Sequence, residues 1–245
     1  MKRQRKHLDL AIIVIGIFLA GVVVGAFLLP FRATVPETPV QLASSSQVVI
    51  GIPAVDTSGE GVLGKLTTEV KPGTGKVLVN VVNVITLGDT QQSAQKAVKA
   101  AGSFTNLDLG TTDVIFNIDV NATSIEGPSA GSSMAVSIVF GLRNETPRSD
   151  VMTTGIIDEN GRIGRVGSIF EKAKSAKSGG ATVFVVPEGQ AVESQTTRTR
   201  QCRQIGSTQH CRVSYESTQV NIGDKLNLTI AEAGTLEEAV RYFKG

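Results

Sequence analysis

Glu126-Gly127-Pro128-Ser129-Ala130-Gly131-Ser132-Ser133-Met134 lies between two apolar runs of different character. Before it stands Val114-Ile115-Phe116-Asn117-Ile118-Asp119-Val120, which ends in strict alternation and reads as a strand. After it stands Met134-Ala135-Val136-Ser137-Ile138-Val139-Phe140, closed by Gly141, which reads as a buried helix stopped by a glycine. Ser129 therefore falls in a tight strand-to-helix turn. Gly127 and Gly131 let the backbone bend and approach a ligand closely, and Pro128 fixes one torsion. The first N–H groups of a helix lack internal partners, so a hydroxyl beside them has donors at hand for an oxyanion. A serine in such a turn is also an ordinary helix cap, and this stretch alone does not separate the two roles.

Upstream, Gln47–Ile52, Leu63–Val70 and Lys76–Val84 read as strands, the last two joined by the turn Pro72-Gly73-Thr74-Gly75. Thr90–Ala101 repeats alanine and valine at helical spacing. Downstream, Val151–Ile157 reads as a strand and Ser168–Ser178 as a helix ending at Gly179-Gly180. Ala181–Val186 and Lys225–Ile230 are further strands. Thr235–Phe243 is a helix whose Thr235 and Glu238 have capping-box spacing. Strands and helices mix without regular alternation, which predicts an α+β fold over residues 48–245, with a polar insert at about 191–224.

The N-terminus differs in kind. Residues 1–9 carry Lys2, Arg3, Arg5 and Lys6 against Asp9, and Leu10 to Leu29 has no charge over 20 residues. At about 1.5 Å per residue that run matches the hydrocarbon core of a bilayer. It is longer than a signal-peptide core and no A-x-A-like site follows. The basic cluster predicts a cytoplasmic tail, one transmembrane helix at 10–29, and everything later on the outer face of the plasma membrane. Residues 30–47, with Pro30, Pro36, Pro39 and three serines, read as a linker. The net charge of +2 is more than accounted for by this N-terminus, and there is no tryptophan, so no nucleic-acid surface is expected.

A serine nucleophile needs a base. The only histidines are His7, in the basic tail, and His210, in the polar insert, which leaves lysine. On a helix over 168–178, Lys172 shares a side with Ile169, Ala173 and Ala176, whereas Glu171 and Lys174 fall on the other. A lysine aimed into an apolar face loses proton affinity and becomes a usable base; one at the helix edge merely snorkels to water. Gly59-Glu60-Gly61-Val62-Leu63-Gly64-Lys65 fits the start of a P-loop, but Leu66 stands where a hydroxyl is needed and strand follows, so Lys65 reads as a turn residue.

Taken together, these segments resemble the proteolytic domain of the Lon protease family. Glu126-Gly127-Pro128-Ser129-Ala130-Gly131 is similar to that family's nucleophile motif, and Gly167 to Lys172 to the helix supplying its base. Leu87-Gly88-Asp89 with Gln92-Ser93-Ala94 resembles an upstream helix start. Thr153-Thr154-Gly155 resembles the segment whose threonine hydroxyl holds the lysine, with Thr154 at the matching position. The resemblance covers about residues 48–190 and the last helix. It implies a Ser129–Lys172 dyad supported by Thr154 and by Glu126, Gly127 and Ala130 around the turn. It also implies protein substrates, possible homo-oligomers, and no metal or cofactor. Glu126 could alternatively pair with Lys172 and hold it charged.

Ile156 stands where the family usually has Glu, and Arg165-Val166-Gly167-Ser168 where it often has Pro-Val-Gly-Gly. No ATPase module of the family's kind is present, so ATP-independent cleavage of unfolded chains is expected. Two other classes fit the turn: a non-catalytic binding domain with Ser129 and Lys172 out of reach of each other, and a small-molecule kinase whose phosphate sits at the helix N-terminus. Cys202 and Cys211, the only cysteines, can close a disulfide in an exported insert. Asn121, Asn144 and Asn227 each begin an N-x-T pattern, in keeping with export.

Overall fold

The computed structural model describes residues 44–82, 85–86, 89–120, 124–125 and 128–245. The transmembrane segment, the tail and most of the linker expected from the sequence lie outside these residues, as do Glu126 and Gly127. Among the described residues no helix is long and apolar enough to cross a membrane.

Among the described residues thirteen strands and five α-helices follow in order. β1 (Ser46–Val55) and β2 (Gly61–Pro72) form an antiparallel pair, and β2 pairs antiparallel with β5 (Thr112–Val120). β3 (Val77–Val82) lies parallel to β5 on its other edge, which gives a mixed sheet of order β1-β2-β5-β3. The alternation in β5 buries Val114, Phe116, Ile118 and Val120 on one face. Two short strands, β4 (Ile85–Thr86) and β6 (Ser124–Ile125), pair in parallel just before the central turn.

Helices α1 (Asp89–Thr105) and α2 (Gly131–Arg143) pack on each other, α1 also against β3 and α2 against β1 and β2. Every residue of α2 from Gly131 to Gly141 is buried, as its unbroken apolar composition requires. The helix does not stop at Gly141. A side chain there would press on Val70 Cγ2 at 2.9 Å, so Gly141 is a packing contact with β2; the helix closes instead at Asn144, in left-handed conformation (φ 52°).

A second sheet is wholly parallel, in the order β13-β10-β7: β7 (Val151–Thr153), β10 (Val183–Pro187) and β13 (Thr229–Ala233). The single strand expected over 151–157 is two. After β7 the chain breaks at Thr154-Gly155, and β8 (Ile156–Ile157) turns to pair with β9 (Ile163–Gly164). α3 (Ile169–Ser178) covers β1 and β2, and with Met152 and Phe184 it builds a smaller core. The terminal α5 (Leu236–Phe243) has the expected capping box, with Glu238 N–H donating to Thr235 and the Glu238 carboxylate accepting the Thr235 N–H.

One further expectation is corrected. The strand read at Lys225–Ile230 is instead α4 (Ile222–Leu226), capped by the Asn221 side chain and closed by left-handed Asn227, and β13 begins only at Thr229. The strand's buried positions are Ala231 and Ala233, small residues that carry little strand signal. The sequence assigns no element to the polar insert. It is a two-stranded ribbon, β11 (Val192–Ile205) with β12 (Thr208–Asn221), in continuous register around the turn Gly206-Ser207. Its residues are exposed on both faces, so burial leaves no alternation from which to read it.

Candidate active site

The turn after β6 runs through a single 3-10 turn, Pro128–Ala130, straight into α2. No side chain caps this helix: Ala130 holds the cap position in helical conformation and has no side-chain acceptor to offer the free N–H groups. The break at Thr154-Gly155 is stitched to the turn from below. Gly155 N–H donates to the Ser129 carbonyl at 2.9 Å, the Thr154 hydroxyl reaches the same oxygen at 3.3 Å, and Ser132 N–H donates to the Gly155 carbonyl at 3.0 Å. Glycine is required at 155, since a side chain there would meet Ile163 Cγ2 at 2.5 Å. Beneath, the Ser133 hydroxyl donates to the Thr153 carbonyl at 2.9 Å and the Thr153 hydroxyl to the Val185 carbonyl at 3.1 Å. These buried groups are all satisfied, so they hold the Ser129 backbone rigidly.

Lys172 sits in the first turn of α3, which is entered through left-handed Ser168 (φ 56°), with Lys172 N–H donating to the Ser168 carbonyl. Its side chain is only 6% exposed, among Ile169, Ala173 and Ala176 as the helical spacing predicts. Gly61 of β2 lies against the Glu171 carbonyl so closely that no side chain fits between strand and helix. Burial lowers the Lys172 proton affinity from 10.5 to about 8, and the charge of Glu171 opposes this only in part. Among the described residues the Lys172 amine makes no hydrogen bond or ion pair.

Ser129 and Lys172, 43 residues apart in sequence, line one open cleft of about 600 Å³. Val55 and Asp56 line one side and Arg165, Val166 and Ser168 another. Asp56 belongs to its own loop. One carboxylate oxygen accepts from Ser58 N–H, the Ser58 hydroxyl and Glu60 N–H, and these bonds hold its pKa below the usual range. On the other flank of Ser129 is a tight pocket of about 30 Å³, walled by Ile52, Ala54, Ile118 and Met134.

Of the residues expected at the site, Ser129, Ala130 and Thr154 are contiguous around the turn and Lys172 shares the cleft. The Thr154 hydroxyl is engaged with the Ser129 carbonyl and makes no bond to Lys172. Cys202 and Cys211 are joined in a disulfide, directly opposite each other on the ribbon and well removed from the cleft in sequence.

Sequence reading missed what holds the cleft wall. Gln190, nearly buried, pairs with Val166 in both directions: Val166 N–H donates to its Oε1 at 3.0 Å and its Nε2 donates to the Val166 carbonyl at 2.8 Å. Arg165 donates to the Gly189 carbonyl at 3.2 Å, and Glu193 accepts from Phe170 N–H in the first turn of α3 at 3.1 Å. The base of the ribbon therefore fixes both the wall and the start of the lysine helix. No local pattern announces these bonds, because the partners stand more than 20 residues apart.

An open cleft lined both by a serine at an uncapped helix start and by a desolvated lysine is the equipment of a hydrolase or acyl-transfer site. Residues 44–201 match the family described as the Lon protease (S16) C-terminal proteolytic domain. The chain is 31% identical over 156 residues to the Lon protease of Azorhizobium caulinodans, a match spanning 59% of this chain and 17% of that one. With Lon protease 1 of Bacillus subtilis it is 30% identical over 166 residues, 64% of this chain and 20% of the relative. These matches span a fifth or less of the relatives' length. The chain belongs to the Lon protease (S16) proteolytic-domain family.

Proposed function

We propose that the chain is a serine endopeptidase with a Ser129–Lys172 dyad, anchored in the membrane by residues 10–29 and acting without ATP on unfolded or flexible protein segments. The observation that carries this reading is the shared cleft, lined by a serine on a tightly bonded turn and by a buried lysine of lowered proton affinity. Neutral Lys172 takes the Ser129 proton as the hydroxyl oxygen attacks a peptide carbonyl. N–H groups at the start of α2 hold the oxyanion. Lys172 returns the proton to the leaving amine, and water, deprotonated by Lys172, then hydrolyses the ester.

Thr154 and Gly155 hold the nucleophile's backbone in this scheme. The apparent P-loop supports an ATP-independent reading, because Gly61–Pro72 is one strand with Lys65 exposed on it. The tight apolar pocket beside Ser129 suits a small uncharged side chain next to the scissile bond.

One observation favours a second reading, a binding domain of the same fold: no hydrogen bond joins the Ser129 hydroxyl to the Lys172 amine. A serine-directed fluorophosphonate probe separates the two. Labelling of the full chain that is lost in Ser129→Ala, with cleavage of reduced casein in the absence of nucleotide, supports the peptidase. A chain that neither labels nor cleaves is a binding domain.

A further inference from the structure

Beyond its base the β11–β12 ribbon takes no part in the cleft. Fourteen residues per strand, at about 3.4 Å each, make an arm of roughly 45 Å. A two-stranded ribbon is marginal alone, and here Cys202–Cys211 staples it three residue pairs from the turn. Between Glu193 and Glu216 every charged side chain is basic: Arg198, Arg200, Arg203 and Arg212, all exposed. Among the described residues none of the four is in an ion pair.

Residues directly opposite share a face. Arg198 and Arg200 stand with Tyr215 and Val213 on one face, and Arg203 with His210 and Arg212 on the other. Positive charge thus surrounds the arm. That suits a diffuse anionic surface better than a shaped groove, which would need its cations on one side. At the very tip Ile205 is 57% exposed beside Gly206 (φ 60°). An apolar side chain with arginines behind it is how interfacial anchors meet anionic bilayers. The sequence supplies the tether: residues 30–47 between the uncharged run and the domain span at most about 60 Å, a distance comparable with the arm.

We propose that the arm docks tip first on an anionic membrane surface and holds the domain against the bilayer. This rests on the anchored reading of residues 10–29. The chain has no tryptophan, so Ile205→Trp gives a single reporter at the tip. The full chain carrying it is reconstituted into vesicles of 30% phosphatidylglycerol in phosphatidylcholine, or of phosphatidylcholine alone, each with and without brominated lipid.

The expected result is blue-shifted emission quenched by bromine in the anionic vesicles only. The effect should fall by up to about fivefold in partition for each arginine changed to glutamine, while casein cleavage in detergent is unchanged. Water-like emission in anionic vesicles that nonetheless carry the chain on flotation would overturn the docking and leave the anchor standing. Failure to float with either vesicle would overturn the anchor and this proposal with it. A spectral change on adding a short DNA duplex, with none from vesicles, would assign the arm to nucleic acid and overturn it as well.

Discussion

Replacing Lys172 by methionine tests the site and the energetics of the fold together. Methionine keeps the length and apolar stem of lysine but cannot hold a proton. In the folded chain the amine titrates near 8; in the unfolded chain it titrates near 10.5. Below pH 8 the lysine is charged in both states, and the fold bears the full cost of burying that charge. Above 10.5 it is neutral in both, and the cost is gone. Between these values the unfolded chain binds more protons, so this group makes stability rise with pH. The difference in proton affinity corresponds to about 3 kcal/mol at about 1.36 kcal/mol per pH unit. The methionine variant should therefore be more stable than the parent by up to about 3 kcal/mol at pH 7, with the gap closing as pH climbs from 8 towards 10.5. Urea midpoints of both proteins across that range measure it. The same substitution should abolish casein cleavage, whereas cleavage by the parent should rise with pH through about 8. Stability curves that run parallel at every pH would show that burial does not lower the proton affinity of the lysine, and the case for it as base would go with them.

Gln190→Leu removes both bonds to Val166 while keeping the volume, so it should lower kcat at least several-fold with a change in the pH profile; steady-state kinetics against pH checks this. Gly61→Ala sets a methyl group against the Glu171 carbonyl and should displace α3, costing about 2 kcal/mol or more in urea unfolding and most of the activity. Reducing Cys202–Cys211 should open the ribbon to proteolysis between 194 and 219, yet leave the cleft and casein cleavage intact; limited proteolysis with and without reductant tests it. A stable folded domain should be cut far more slowly than a destabilised variant of it, with no acceleration by ATP, because cleavable backbone is exposed only in rare open states.

Where local chemistry decides structure, the sequence is sufficient. Alternating Val114–Val120 could bury only one face, and Thr235 with Glu238 could cap only a helix starting there. The failures have a common cause: one residue's role was set by a distant neighbour. Gly141 looks like a helix stop until Val70 is seen against it. Ala231 and Ala233 form a buried strand because β10 lies alongside and has already supplied the bulk. The ribbon pairs over fourteen positions with nearly every side chain in water, so neither burial nor apolar alternation could signal it.

At the site the same division separates side-chain chemistry from what positions it. Ser129 and Lys172 were legible as candidates because each carries its signal locally, the one in a glycine-bounded turn and the other on an apolar helix face. What makes a cleft of them is long-range. Thr154 and Gly155 fasten the Ser129 carbonyl from 25 and 26 residues away, and Gln190 and Glu193 fasten the opposite wall from the base of the ribbon. Neither clamp moves a proton, yet both set the separation of hydroxyl and amine. Ser129 is fixed through a carbonyl that lies on a buried, fully bonded network, and so has little freedom to move. Lys172 rides on a helix whose first turn is bonded to the base of the ribbon through Glu193, beside a wall that Gln190 holds at Val166. If the two groups must close on each other when a substrate binds, the lysine side is the one the architecture leaves adjustable, and the Gln190 contact is where that adjustment would be felt first.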